Sequence, residues 1–379
     1  MGNKPLIIIG ASARAAAFSA HRAGYTPYWL DQFGDEDLRQ RFPGRIISAY
    51  PKQVVELIDQ APDAPFIYTG ALENHPGVLD ELCRRRTLLG NPVPVCSGVR
   101  DPFLLFEALR RNDIACPEFR MVERGRTPAY NMRGHVLNPS PHLDGWLVKP
   151  LRSAGGMGIE RYNGQPADER YYLQQYLTGE SCSAVFVGAQ GRCRLLGVTR
   201  QLVGVPEFHA GEFSYCGSIG PLELNEADNL QWRRIGEVIA GEFNLTGLFG
   251  VDAIKQQDGI YLVEVNPRYT ASVEALELVL DLQAVKLHCY ACEGRPIEME
   301  TRAARRFIGK AILFAPEDLV FREFAQEGFS IADVPARGAE IKQGHPVLTV
   351  MVTGTDVDSI SGELKQAAQR IMKGLGVRT

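Results

Sequence analysis

Apolar runs and alternations divide the chain into short units. Leu6-Ile7-Ile8-Ile9 is an unbroken apolar run, the pattern of a strand buried on both faces. An Ala-rich helical stretch follows to about Ala23, and Thr26 to Leu30 forms a second strand ending at Asp31, so the chain opens as the β-α-β unit of a parallel sheet. A third strand, from Pro65 on, runs into a polar loop with Glu73 and Asn74, at the strand end where ligands gather in open α/β sheets. Helices are predicted over 77–86 and 102–111, the second with Asp101 as N-cap and Pro102 at its first position. From Gly145 onward strand patterns dominate: 145–150, 171–177, the pair 183–187 and 193–201 around Gly188 to Gly191, and the pair 251–255 and 260–265 across Asp258-Gly259. An amphipathic helix through Ala240 and an apolar one ending near Tyr290 lie on either side of that last hairpin. Strands over 309–314 and 347–352 and a final helix close the chain, with no internal repeat. This mixture is of the α/β (α+β) class.

A chain of 379 residues exceeds one typical core, and two to four compact units are expected. With 45% hydrophobic and 23% charged residues the composition is that of a globular protein. The net charge of −4 and pI near 6.0 supply no electrostatic footprint for nucleic acid or an anionic membrane. No apolar run is long enough to span a bilayer, so a cytoplasmic protein is expected. The eight cysteines are scattered like reduced thiols, and the lone Cys289-Tyr-Ala-Cys292 lacks the second pair that a zinc site needs. The first β-α turn holds Gly10 as its one glycine, which disfavours a dinucleotide.

Chemistry concentrates in two stretches. In the hairpin 250–268, Glu264 and Asn266 share a face by strand alternation. A three-residue loop, Gln257-Asp258-Gly259, would set Asp252 opposite Glu264 on that same face. Two carboxylates and an amide oxygen so placed repel one another unless a cation sits among them, and hard oxygen donors suit Mg²⁺ or Mn²⁺. The other stretch is 145–159. A strand delivers Lys149, and a loop with Gly155, Gly156 and Gly158 follows at once, built for backbone N–H groups to approach phosphate oxygens beside a positive charge. It lacks the closing Gly-Lys-Ser/Thr of a Walker A loop.

Asp252, Glu264, Asn266 and Arg268, with the phrase Glu-Val-Asn-Pro-Arg, resemble the metal hairpin of the ATP-grasp superfamily, in its biotin-carboxylase-related branch of ATP-dependent carboxylate–amine ligases. The resemblance implies an ATP-grasp fold with a Rossmann-like pre-grasp domain over 1–98 and an ATP-grasp domain over 99–300. The latter would divide into a lid part, 99–173, and a metal and substrate part, 174–300, with a small C-terminal lobe over 301–379. It implies ATP with Mg²⁺ or Mn²⁺ as cofactors, the metal on Asp252, Glu264 and Asn266. The nucleotide would lie on Lys149, Ser153, Gly155, Gly156 and Gly158, and on a hinge of Gln175, Tyr176, Leu177 and Glu180. Arg268, Lys149 and Arg200 would act on the transferring phosphoryl or an anionic substrate, with Gly217-Ser218 lining the acceptor pocket.

Where many such enzymes carry a phosphate-reaching lysine after the Asp, this chain has Pro102. Where biotin carboxylases carry a general-base glutamate, position 272 is Ser and the nearest acid is Glu274. The implied activity is carboxylate–amine ligation through an acyl phosphate with release of ADP and phosphate. Its setting would be the synthesis of a cofactor, such as a methanopterin- or methanofuran-like C1 carrier, or of a peptide-like metabolite. The alternatives are a bicarbonate-dependent carboxylase and a nucleotide-binding regulatory protein without turnover. The partners implied are small carboxylates and amines, and the dimers common in this superfamily make a homodimer one expectation.

Overall fold

The computed structural model describes residues 4–121, 145–164, 168–298, 306–325 and 328–377. Part of the expected lid, 122–144, and the expected joint near residue 300 lie outside them. The N-terminal strands Lys4–Gly10, Tyr25–Asp31, Gly44–Ile46 and Phe66–Tyr68 form a parallel sheet in which Lys4–Gly10 lies between Tyr25–Asp31 and Phe66–Tyr68. Leu6 to Ile9 are fully buried, as a strand covered on both faces requires. Past Phe66–Tyr68 the chain turns through Ala71, at φ +80°, into a short 3₁₀ segment that carries Glu73 and Asn74.

An eight-stranded antiparallel sheet organises the rest. At one end lie Ile260–Asn266, Gly247–Lys255, Glu180–Ala189 and Arg192–Val203, followed by Tyr215–Gly220, Phe307–Phe314, Pro346–Gly354 and Ser330–Ala332. Alternation along Glu180–Ala189 divides its faces cleanly. Ala184 and Phe186 pack with Trp232, Ile235 and Ile239 of the helix Glu226–Phe243, while Val185 and Val187 pack with the helices Ala271–Leu280 and Ala284–Cys292. Toward the other end of the strand that second face turns polar, with Ser181 and Ser183, and there the cavity opens. A four-stranded sheet, Phe119–Met121, Tyr171–Gln175, Trp146–Pro150 and Glu160–Arg161, lies on the far side of the cavity.

One expectation changes. The apolar helix after Arg268 is broken at Asp281, which takes φ +53°, and Glu277 Oε1 accepts from the Ala284 N–H at 2.7 Å to start the second helix. In the C-terminal part, Phe307–Phe314 pairs with Tyr215–Gly220 and so prolongs the central sheet.

The N-terminal, central and C-terminal parts meet at a buried ionic cluster. Arg14 donates to Glu274 at 2.5 and 2.9 Å and to Asp333 at 2.8 Å, and Lys310 Nζ reaches Glu274 at 2.6 Å. Burial alone would raise Glu274, but Lys310 and Arg14 hold its carboxyl below the usual range. Glu274→Ala leaves the buried Lys310 without its ion-pair partner and Arg14 with Asp333 and the more distant Asp37, so it is expected to cost about 3–5 kcal/mol in urea unfolding of the full chain. An unchanged midpoint would show that the cluster is not anchored by Glu274.

Candidate active site

A cavity of about 550 Å³ opens between the two sheets, a size suited to a small-molecule ligand. The hairpin sets Asp252 opposite Glu264 and Gly250 opposite Asn266, but by a different route from the one the sequence suggested. The turn has four residues, Gln256 to Gly259, with Gln256 N–H donating to Gly259 O, and Lys255 pairs with Ile260. A bulge at Val263 then restores the register before Glu264, because Ala253 pairs with Leu262 while Asp252 pairs with Glu264. Strict alternation would send Val263 to the opposite face from Glu264, yet both line the cavity.

Asp252 is held by three donors: Ser183 Oγ at 2.7 Å and Gln201 Nε2 at 3.0 Å on Oδ1, and Asn266 Nδ2 at 3.0 Å on Oδ2. Burial and the neighbouring Glu264 push its carboxyl up to about 6. That orientation of the amide turns Asn266 Oδ1 toward Arg268 Nη2, 3.0 Å away, and Arg100 Nη1, 3.5 Å away. Arg100 Nη1 also lies 3.4 Å from Glu264 Oε1. These oxygens fit a hard divalent cation: the donor set is oxygen only, a carboxylate in it is strained toward protonation, and guanidinium groups now face two of the three side chains. Among the described residues no group of three or more His, Cys, Asp or Glu is placed to hold a metal, and the hairpin set offers two carboxylates and one amide oxygen.

Lys149 is buried, its Nζ 3.2 Å from Gln174 Oε1. Burial works to lower its ammonium, but Tyr172, Glu264 and Asp252 together hold it above the usual lysine value, so it stays charged. The glycine loop runs in left-handed conformations at Gly155, Gly156 and Gly158, with φ of +64°, +82° and +74°. Gly155 and Gly156 line the cavity, whereas Gly158 abuts Pro150. The Gly155 carbonyl accepts from the Tyr215 N–H at 3.0 Å, and a Cβ on Gly156 would lie 1.8 Å from the Phe213 carbonyl oxygen. Gly156→Ala is therefore expected to force the loop off the central sheet and lower ATP turnover by about tenfold or more, whereas Gly155→Ala meets no atom within 4 Å and bears conformational strain alone. Equal activity in the two variants would refute the packing argument.

The hinge residues Gln175, Tyr176 and Leu177 line the cavity, and Tyr176 N–H already donates to Gly145 O at 2.6 Å. Phe213 stands edge-on to Tyr176 with ring centres 6.4 Å apart, and both line the cavity. Ser153 meets the site through its carbonyl, which accepts from Asn74 Nδ2 at 3.1 Å and Arg100 Nη2 at 3.0 Å.

Arg200 and Glu180 depart from their expected places. Thr199 pairs with Ser183, so alternation sends Gln201 and Val203 to the cavity face and Arg200 to the other. Arg200 Nε binds Glu180 at 2.5 Å and its Nη1 binds Asp358 at 3.0 Å. Ser218 likewise lies behind the wall, bonded to Tyr215 Oη at 2.8 Å and near Ser272 Oγ at 3.3 Å, and it is Tyr215 and Ser272 that face the cavity. Lys310 and Glu274 belong to the ionic cluster and do not line the cavity.

Arg268 lines the cavity and is braced from behind by Glu73, whose Oε1 accepts from its Nε at 2.6 Å. Burial acts to raise Glu73, but Arg268 and Arg100 hold its carboxyl below the usual value. Beyond Arg268 the wall is Thr270, Ala271 and Ser272, the start of the helix Ala271–Leu280. Thr270 does not cap that helix, and its buried Oγ1 has no partner among the described residues. Sequence reasoning missed Arg100, Ser183, Gln201 and Tyr215. Alternation within the 180–203 hairpin could have found Ser183 and Gln201, but Arg100 carries no local signal.

Residues 99–272 match the family profile of the ATP-grasp domain. The chain is 22% identical over 391 residues to an uncharacterised protein of Methanocaldococcus jannaschii, covering 97% of this chain and 93% of that one. It is 30% identical over 132 residues to a tyramine–L-glutamate ligase of the same organism, covering 35% of this chain and 38% of the relative. Its fold is similar to that of N5-carboxyaminoimidazole ribonucleotide synthetase from Thermotoga maritima, with a TM-score of 0.66 at 15% identity over 97% of this chain and 98% of the other. Among the described residues no helix is long and apolar enough to cross a membrane.

Proposed function

We propose that this chain, whose residues 99–272 match the ATP-grasp domain, is an ATP-dependent carboxylate–amine ligase of the ATP-grasp superfamily that joins the carboxylate of an amino-acid-like substrate to an amine. One observation carries the reading: a single cavity connects Lys149 and the glycine loop to the Asp252–Glu264–Asn266 hairpin and ends at Arg268 and the start of the helix Ala271–Leu280. The triphosphate lies under the glycine loop against Lys149, and the adenine lies at the hinge, where Leu177 N–H supplies the donor that Tyr176 has already committed. The acyl substrate's carboxylate lies beside Arg268 on the first N–H groups of the helix, with the unpartnered Thr270 hydroxyl as a further donor.

A carboxylate oxygen then attacks the γ-phosphorus of ATP, the bond to the β-phosphate oxygen breaks, and ADP leaves an acyl phosphate. The amine nitrogen attacks the acyl carbon, the C–O bond to phosphate breaks, and the amine's surplus proton passes to phosphate or solvent. A divalent ion on Asp252, Glu264 and Asn266 supplies charge neutralisation at the phosphates when bound. Lys149 and Arg268 stabilise the negative charge that grows on the transferring group, and the closed loop excludes the water that would hydrolyse the intermediate. The tyramine–L-glutamate ligase relative supports the amino-acid carboxylate. The carboxylase reading loses its candidate base, because Glu274 is buried and pinned by two cations.

The test is ATP turnover with Mg²⁺ against pools of amino acids, other carboxylic acids and amines, with ADP, AMP and new masses read separately. The expected result is ADP formation that needs both a carboxylate and an amine, with a product at their summed mass less one water. Formation of AMP, or of ADP that depends on bicarbonate alone, would overturn the ligase reading.

A further inference from the structure

We propose that Arg100 is a second cation of the triphosphate site, acting beside Lys149 and supplied from a position where the backbone ends one helix and begins the next. The proposal rests on the ATP reading above. Pro102 keeps Asp101 out of the helical region, at φ −74° and ψ 115°, so the helix Val93–Arg100 stops at Arg100 and the helix Pro102–Arg111 starts with Asp101 capping the Phe103 and Leu104 N–H groups. Arg100 is thereby fixed at a helix C-terminus, where a cation is favoured. Its side chain is only 10% exposed and turns inward.

Two features separate it from a simple structural arginine. Its Nη2 is firmly held, at 2.9 Å from Asn74 Oδ1 and 3.0 Å from the Ser153 carbonyl at the base of the glycine loop. Its Nη1 makes three contacts at the long limit of hydrogen bonding, 3.5 Å to Glu73, 3.4 Å to Glu264 and 3.5 Å to Asn266. Two of those acceptors are the side chains that would ligate a cation. Once a divalent ion takes their oxygens, Nη1 loses both partners and faces the anion that arrives with the ion. Arg100 also lines a small cavity of about 30 Å³ together with Lys149, Ser153, Tyr172, Glu264 and Pro102. Arg100 and Lys149 therefore border one space, and a side chain at position 102 borders it as well.

The geometry leads to a rescue experiment. Calorimetric titration of the full chain with Mg·ATP, Mg·ADP and AMP compares the natural protein with Arg100→Ala, Arg100→Gln, and Arg100→Ala combined with Pro102→Lys. Arg100→Gln retains amide donors for Asn74 and Ser153 without the charge, so it reports on the charge should the alanine variant fold poorly. Both single variants are expected to weaken Mg·ATP and Mg·ADP by about tenfold or more while leaving AMP within about twofold, since a charge-assisted contact to the outer phosphates is what they remove. Lysine at 102 is expected to recover most of the Mg·ATP affinity. Equal losses for AMP and ATP, undiminished ATP binding in Arg100→Gln, or failure of the lysine to rescue would each overturn the assignment and leave Arg100 as a tie for the loop. A natural protein that binds no Mg·ATP would instead overturn the nucleotide reading itself, so the two failures are distinguishable.

Discussion

Glu264→Gln is expected to lower Mg²⁺-dependent ATP turnover by about a thousandfold or more while the chain stays folded, because the substitution keeps shape and removes the charge that completes a divalent site. The side chain is 39% exposed and is approached by Arg100 at 3.4 Å, so little of the fold depends on it. Asp252 alone cannot substitute, since Ser183, Gln201 and Asn266 already donate to both of its oxygens. Removing the neighbouring negative charge also relieves one of the two causes that raise Asp252, so that carboxylate ionises more readily in the variant even as the site loses its second anion. Turnover measured across a Mg²⁺ series decides the matter. Activity that survives at ordinary magnesium would mean that this hairpin is not the metal site.

Arg268→Ala is expected to reduce turnover about a hundred- to a thousandfold, as loss of one preorganised charge aimed at a developing anion does. It has a structural effect as well. Glu73 is fully buried, its Oε1 is held by Arg268 at 2.6 Å, and its Oε2 has no partner among the described residues. Removing Arg268 leaves that carboxylate with the more distant Arg100, 3.5 Å away, and is expected to cost about 3–5 kcal/mol of stability. The double variant Arg268→Ala with Glu73→Gln separates the effects, because neutralising Glu73 restores stability without restoring chemistry. Recovery of turnover along with stability would show that Arg268 serves only to neutralise Glu73.

Much of this site was legible in the residues because strand alternation and turn composition are local rules. The parallel opening at Leu6 to Ile9, the helix cap at Asp101, the pairing of Asp252 with Glu264 and the lysine strand before a glycine loop all follow from spacing. The register illustrates how far such rules reach. The predicted partners are correct, yet the turn is one residue longer than expected and a bulge at Val263 compensates, so it brings a further side chain to the cavity.

The sequence by itself determined which candidate groups the chain carries and how they are spaced, because paired oxygen donors, a lysine strand and a glycine loop depend on residue type and on separations of a few positions. Tertiary structure decided which charges reach the cavity. Arg200 is chemically suited to an anion, but its strand parity turns it toward Glu180 and Asp358. Arg100 has no motif around it and still reaches Glu264, 164 residues away, through the packing of a helix end against the hairpin. Glu274 is the nearest acid to the place of a carboxylase base, yet Arg14 and Lys310, 260 and 36 residues distant in the chain, hold it buried as a counter-ion. The physical reason is the range of the forces. Backbone geometry alternates side chains within a strand whatever lies far off, whereas a long charged side chain goes to whichever opposite charge the folded chain brings within a few ångströms, and no local pattern records that partner.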